Sequence, residues 1–292
     1  MGGTAVAHII DDLKRRPSRN WSIVITIFGD AIVPRGGSVW LGTLLDFFEM
    51  IGIGAGAVRT AVSRLATDGW LERSREGRNS FYRLTDRGRE TFVVATRQIY
   101  SAKGPIWDGG FDAVFLEKNG TNGHEDIRAQ LEEAGFGAVS PGVYLAPPGS
   151  SLPEELDGKL LLARLGGTPE ACRQLAAMAW SVDQAGKAFA RFVASFSPLD
   201  AALAEGGSLT DGQAMVARIL LIHEYRRLVL RFRPLPCELL PDAWPGEEAL
   251  TLTRRLYHLL LPQSETWLDR HGRAQDGSLQ PADESIFQRF SI

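Results

Sequence analysis

Across Ala57 to Asp68 the chain separates its chemistry into two faces, and that separation limits what the surrounding segment can fold into. Val58, Ala61, Val62 and Leu65 fall at i, i+3, i+4 and i+7, the spacing of one apolar helical stripe, while Arg59, Thr60, Ser63, Arg64 and Thr67 collect on the opposite face. One face packs and the other reaches outward. Two guanidinium groups among small hydroxyls, with no acid between them, suit phosphate oxygens and the O6/N7 edge of guanine in a major groove. Taken alone, the same pattern also describes an ordinary solvated helix face.

The flanking segments supply the context. Thr4 to Arg16 carries a stripe of Val6, Ile9, Ile10 and Leu13, and Pro17 ends it. Trp21 to Val33 reads as a helix through Val24, Ile27, Phe28 and Ala31, although Ile23, Val24, Ile25 and Ile27 favour strand by propensity. After Pro34 and Gly36-Gly37, Ser38 is placed to cap a short helix bearing Leu41, Leu44, Leu45 and Phe48. Gly52 to Gly56 form a break. Gly69-Trp70 closes the outward-facing helix, and Leu71 to Arg75 and Arg78 to Leu84 read as two strands around Glu76-Gly77. Three helices, a tight turn before the third and a basic hairpin after it describe a winged helix-turn-helix. In that arrangement Arg59, Thr60, Ser63, Arg64 and Thr67 face DNA from the helix, and Arg73, Arg75, Arg78, Asn79 and Ser80 touch the sugar-phosphate backbone from the wing.

A competing motif lies just upstream. Gly52-Ile53-Gly54-Ala55-Gly56-Ala57 has the form of the G-x-G-x-x-(G/A) dinucleotide fingerprint. That fingerprint follows a buried strand and leads through a helix into a second one, whereas Leu44 to Met50 has helical spacing and a charged hairpin comes next.

The charge distribution agrees with a local nucleic-acid surface and excludes a uniformly basic one. The 292 residues hold 32 Lys/Arg and 35 Asp/Glu, net −3, but residues 1–100 hold 14 against 10, net +4, and residues 101–292 hold 18 against 25, net −7. Hydrophobic residues at 44% and charged residues at 23% fit a globular chain with a real core. Cys172 and Cys237 form no metal-binding or disulfide spacing, so two buried or inert thiols in a reducing compartment are expected. With no signal pattern and no apolar run of about 18 residues, a cytoplasmic protein without membrane contact is expected.

In the middle region, Phe111 to Leu116, Val143 to Ala146 and Lys159 to Leu165 read as strands, and Asp126 to Ala134 and Pro169 to Ala179 as helices. That order suits a small ferredoxin-like unit. The last region is helical: Met215, Ile219, Ile222, Arg226 and Val229 lie along one helix side, and Ala249, Leu252, Leu256 and Leu259 along another. The prolines from Pro234 to Pro245 read as the loop between them. His223-Glu224 begins like a zincin motif, but Arg227 stands where the second histidine is needed, so His223 reads as a packed, hydrogen-bonded residue. No nucleophile elbow or P-loop occurs. Arg226, Arg227 and Arg231, with Arg254 and Arg255 on the neighbouring helix, suit a ligand carrying phosphates and an aryl tail; salt bridges to nearby acids are the alternative for each.

Several strings carry a family resemblance. They are Gly56-Ala57-Val58-Arg59-Thr60-Ala61-Val62-Ser63-Arg64-Leu65, Gly69-Trp70-Leu71, Gly77-Arg78-Asn79-Ser80-Phe81-Tyr82, Arg97-Gln98-Ile99-Tyr100, Trp107-Asp108-Gly109, Gly135-Phe136-Gly137 and Pro141-Gly142. They continue in His223-Glu224-Tyr225-Arg226-Arg227, Leu235-Pro236, Leu239-Leu240-Pro241 and Trp244-Pro245-Gly246. Together they resemble the phenylacetic-acid degradation repressor (PaaX-like) family over about residues 20–270. Departures are Phe232, where the family usually has an acid, and Gly54-Ala55 in place of a polar helix cap.

The resemblance implies a homodimeric repressor on a palindromic double-stranded DNA operator, released by an aryl-acyl-CoA such as phenylacetyl-CoA. It also implies a Cas2-like middle domain, which raises a metal-dependent nuclease as an alternative. Against that, Asp108 and Asp112 precede or open the first strand, where the nuclease acid should end it. The expectation is therefore an α+β chain and a non-enzymatic regulator with no cofactor and no metal site. Its parts are an N-terminal helical extension (1–20), a winged helix-turn-helix (21–100), a ferredoxin-like middle domain (101–179) and a helical C-terminal effector and dimerisation domain (180–292). An acyl-CoA-acting enzyme and a winged-helix protein adaptor are the remaining alternatives.

Overall fold

The computed structural model describes residues 2–16, 18–100, 106–116, 124–146, 150, 152, 154–156, 160–232 and 234–290. Helices and small antiparallel sheets make these an α+β chain. By contact the chain divides into two units, one of residues 1–102, 190–230 and 247–292, the other of 103–189 and 231–246. Residues 180–292 are thus divided between the two units, and the N-terminal segment shares its unit with residues 21–100.

The first unit begins with α1 (Gly2–Arg15) and α2 (Asn20–Ile27). Ile23, Val24, Ile25, Thr26 and Ile27 are all buried, so α2 is enclosed on every side, which is why its composition is strand-like while its structure is helical. A π-helical turn, Phe28–Ile32, and a short 3-10 turn, Val33–Arg35, extend it. The next expectation fails. Ser38 caps no helix; Ser38–Trp40 is strand β1, and α3 (Leu41–Met50) starts after it with no side-chain cap. Gly36 and Gly37, at φ 91° and 77°, turn the chain so that Val39 reaches Tyr82 of a strand more than forty residues on.

Helix α4 (Ala55–Thr67) buries Val58, Ala61, Val62 and Leu65, the stripe read from the sequence. The hairpin follows as β2 (Leu71–Glu76) and β3 (Asn79–Leu84), with Gly77 at φ 56° in its two-residue turn. Strand β3 is the centre of the sheet, in the order β1-β3-β2. Helix α5 (Asp86–Tyr100), which no periodicity had marked, leaves the wing.

The remainder of this unit comes from α8 (Val182–Ala204) beyond residue 189, α9 (Asp211–Arg231) up to residue 230, α10 (Pro245–His271) from residue 247, and a small hairpin, β8 (Arg273–Ala274) and β9 (Gly277–Ser278). α9 is buried from Ala214 to His223 without interruption and is the unit's central helix. In α10, Ala249, Leu252 and Leu256 face inward as expected, whereas Leu259 is half exposed.

The middle strands belong to the second unit: β4 (Gly110–Phe115), β5 (Gly137–Ser140), β6 (Val143–Leu145) and β7 (Leu161–Gly166), with helices α6 (His124–Glu133) and α7 (Pro169–Trp180). All pair antiparallel in the order β5-β6-β4-β7. β5 is a strand the sequence reading did not place. Phe111, Leu145, Cys172 and Ala176 form a core with Leu235, Leu239 and Leu240. The proline-rich stretch read as a connecting loop therefore contributes core side chains. Cys172 is buried, while Cys237 is exposed.

Candidate nucleic-acid interface

The outward face of α4 is open. Arg59, Thr60, Ser63, Arg64 and Thr67 are all exposed, beneath a buried stripe that fixes the helix's rotation. Thr60 donates to the Gly56 carbonyl at 3.0 Å and Thr67 to the Ser63 carbonyl at 3.1 Å, which leaves their hydroxyl oxygens as acceptors. Arg64 pairs loosely with Asp68, one turn on, at 3.5 Å. Such an exposed pair holds little free energy and yields readily to a phosphate. Arg59 makes no side-chain hydrogen bond or ion pair among the described residues.

The wing sorts its charges by face. Side chains alternate along a strand, so Arg73 and Arg75 share the sheet face of Leu71, Tyr82 and Leu84, while Glu72, Ser74 and Glu76 take the other. Leu71, Tyr82 and Leu84 are buried; Arg73 and Arg75 extend that face outward past the core. Arg78 and Asn79 are exposed at the tip. Ser80 departs from expectation: it is 7% exposed, and its hydroxyl accepts from Nε and Nη2 of Arg73 at 3.2 and 2.7 Å. It orients an arginine and does not face solvent. On the acidic face, Arg83 pairs with Glu72 and Ser74 donates to Gln275 of the C-terminal hairpin at 3.1 Å. Neither support is readable from local sequence.

The same unit also holds a buried ionic cluster that sequence reasoning missed. Asp30, in the π turn, accepts from Tyr100 at 2.6 Å and from Arg289 at 2.9 Å, and its Oδ2 lies 2.7 Å from Nε of Arg218. Arg218 also bonds Ser264 and Glu265, and Arg289 bonds the Tyr257 hydroxyl at 3.0 Å. Arg35 adds ion pairs to Glu265 and Asp269. The cluster ties α2 to α5, α9, α10 and the C-terminal residues. A lone aspartate in an apolar helix, Phe28-Gly29-Asp30-Ala31, is the one local signal that could have suggested it.

His223 is packed and hydrogen-bonded, as its sequence context implied. Its Nδ1 lies 3.0 Å from the Thr26 hydroxyl, whose own proton goes to the Ser22 carbonyl, so the ring donates there. Nε2 then accepts from Ser18 at 2.9 Å. Burial, with help from Arg226 and Arg227, holds His223 well below the usual histidine range and therefore neutral.

The five arginines proposed for a ligand have separate surroundings. Arg226 is largely buried and donates to Ser22; Arg227 is exposed and bonds Ser18 and Glu224. Arg255 grips Asp200 through two bonds, and Arg254 is half-buried. Arg231 lies over the Phe232 ring at 5.1 Å. Asp108 and Asp112 are both paired with Arg164, and among the described residues no group of three potential ligands could hold a metal. No described helix is long and apolar enough to cross a membrane.

The sequence profile described as PaaX-like protein matches residues 19–88, and that described as PaaX-like protein C-terminal domain matches residues 180–270. The chain is 34% identical over 303 aligned positions to the transcriptional repressor PaaX of Escherichia coli (strain K12), an alignment covering 98% of this chain and 94% of that protein. The chain belongs to the PaaX family. Among solved structures, the uncharacterized protein Rv0674 from Mycobacterium tuberculosis shares the fold, with a TM-score of 0.51 and 20% identity over 77% of this chain and 89% of that one. The first PaaX profile spans α2 through β3 and the start of α5, the segment that carries the exposed arginines. The Escherichia coli relative is a transcriptional repressor.

Proposed function

We propose that this PaaX-family chain is a transcriptional repressor that binds double-stranded DNA, with residues 20–84 acting as a winged helix-turn-helix. One observation carries the reading: the outward stripe of α4, Arg59, Thr60, Ser63 and Arg64, is exposed and is followed along the chain by a hairpin whose Arg73, Arg75 and Arg78 are exposed as well, in a chain akin to a repressor over nearly its whole length. In this reading α4 enters the major groove and Arg64 and Arg59 take guanine edges or phosphates. Thr60, Ser63 and Thr67 offer short polar contacts. Arg73, Arg75, Arg78 and Asn79 hold the wing to the backbone, with Ser80 positioning Arg73.

The four-stranded unit is read as ferredoxin-like on its strand order. Counted within that unit the order is 2-3-1-4, the reverse listing of 4-1-3-2, with the second helix displaced to follow the last strand. Two chains would pair so that their α4 helices meet DNA about one or more helical turns apart, ~34 Å per turn. An aryl-acyl-CoA, phenylacetyl-CoA by analogy with the family, would release the operator by favouring a dimer geometry with the wrong spacing, and linkage then requires operator DNA to weaken effector binding by the same factor.

The test is a titration of Arg64→Ala against DNA from upstream of the protein's own gene and against single-base variants of it. A loss of about 1–3 kcal/mol on the native site, shrinking on one variant base pair, is expected if Arg64 reads that base. Unchanged affinity for every sequence would remove Arg64 from the interface.

A further inference from the structure

The wing is not supported alike along its length. β1 pairs with Phe81, Tyr82 and Arg83 of β3, so Ser74, opposite Phe81, is the last residue of β2 inside a three-stranded sheet. Beyond it only Arg75 with Ser80 and Glu76 with Asn79 remain, a two-stranded ribbon that ends in the Gly77 turn. Glu72 to Glu76 are all exposed, so no core side chain anchors β2 past Leu71. A ribbon of two strands is marginally stable and twists more than a wider sheet, and its direction depends on what holds its base.

The C-terminal hairpin meets the wing at that base. β8 lies against β1, and Gly272, just before β8, is buried where a side chain would run into Leu279 and the Leu268 carbonyl, so only glycine lets the hairpin turn off α10 there. Thr43, buried in α3, donates to the His271 carbonyl at 3.0 Å and accepts from the Arg273 amide at 3.2 Å. The root of the hairpin is thereby fixed to α3 and α10. From that root Gln275 accepts from the Ser74 hydroxyl at 3.1 Å, beside a polar cleft of about 400 Å³ lined by the cross-strand row Ser38, Arg83 and Glu72. Arg73 and Arg75 project from the other face of the sheet, so the wing is held from behind.

We propose that Gln275 is a positioning residue for DNA binding: by holding Ser74 where the ribbon leaves the three-stranded sheet, it sets the reach of Arg75, Arg78 and Asn79 to the sugar-phosphate backbone. The inference rests on the function proposed above and gives the C-terminal hairpin a part in it. Gln275 acts through Ser74 and leaves the reading of bases to α4.

The test is a set of anisotropy titrations of the full chain, at several salt concentrations, on DNA from upstream of the protein's own gene and on a scrambled duplex. Gln275→Ala should weaken binding to both duplexes about two- to tenfold, the equivalent of one hydrogen bond. Its salt slope should fall by up to about 2 as Arg75 and Arg78 disengage, and its preference between the duplexes should stay that of the parent. Ser74→Ala should do the same, the double variant should lose no more than either single, and Ser74→Thr, which keeps the hydroxyl in a residue suited to a strand, should behave as the parent. A residue that only stabilised the fold would lower the melting temperature and leave the salt slope alone. A parent that binds DNA while Gln275→Ala keeps its salt slope overturns this inference alone. A parent that binds neither duplex overturns the repressor reading, and the role of Gln275 with it.

Discussion

Replacing Asp30 by Asn keeps the side chain's size and removes its charge from the most deeply buried ionic cluster. Asp30 and Arg218 are fully buried, and Arg289 is 9% exposed. Arg35, Arg218 and Arg289 are set against Asp30, Glu265 and Asp269, so the charges balance. Asp30→Asn leaves one positive charge without a counterpart and turns an amide donor toward guanidinium groups. Breaking such a pair from one side costs about 3–5 kcal/mol, a large share of the roughly 5–15 kcal/mol that holds a domain folded. For a unit of this size each kcal/mol moves the melting point by about 2–4 °C, so the Tm should fall by about 6–20 °C. Circular dichroism melts and urea titrations measure it. Combining Asp30→Asn with Arg289→Met removes one charge of each sign, and the double variant should lose about 0.5–3 kcal/mol less than the two singles together. A Tm within about 2 °C of the parent for Asp30→Asn, or strict additivity, would refute the claim that this aspartate anchors α2 to the later helices.

Acid should destabilise the protein through His223, which is held neutral in the fold and free to take up a proton once unfolded. The sign follows: this contribution is fully present above about pH 6.5 and is lost as pH falls below it, by up to about 1.4 kcal/mol per pH unit, until the folded ring also titrates. Urea titrations between pH 7 and 5 should show this slope flattening in His223→Gln; an identical slope would discard it. Arg75→Ala and Arg78→Ala on the wing should weaken binding nearly equally on all DNA sequences and reduce the salt slope by about 1 each, in anisotropy titrations at several salt concentrations. A sequence-dependent loss would mean that the wing reads bases.

The sequence disclosed those features whose causes are local. Val58, Ala61, Val62 and Leu65 fix both the helix and the direction of its arginines, and Gly77 fixes the hairpin turn. What it hid depends on distant partners. Ser38 looks like a helix cap until Arg83 and Tyr82 are there to pair with its strand, and Ser80 looks like a surface residue until Arg73 folds onto it. Asp30, Arg218 and Arg289 are separated by most of the chain, so no window of sequence contains the cluster. The stretch between Pro234 and Pro245 has loop composition, yet Leu235, Leu239 and Leu240 are core residues because α7 and β4 supply a surface for them. The arginines read as effector ligands were grouped by helical face, whereas Arg226, Arg227, Arg231 and Arg255 each have their own partner or ring and Arg254 is half-buried.

Recognition of DNA by the outward face of α4 is the proposal on which the other DNA-binding roles depend. Its most direct test is an anisotropy titration of the parent and of Arg59→Ala/Arg64→Ala on the DNA upstream of the protein's own gene and on a scrambled duplex of equal length, at one fixed salt concentration. The parent should prefer its own upstream DNA, and the double variant should bind both duplexes with the same weak affinity. A double variant that keeps the parent's preference would contradict it.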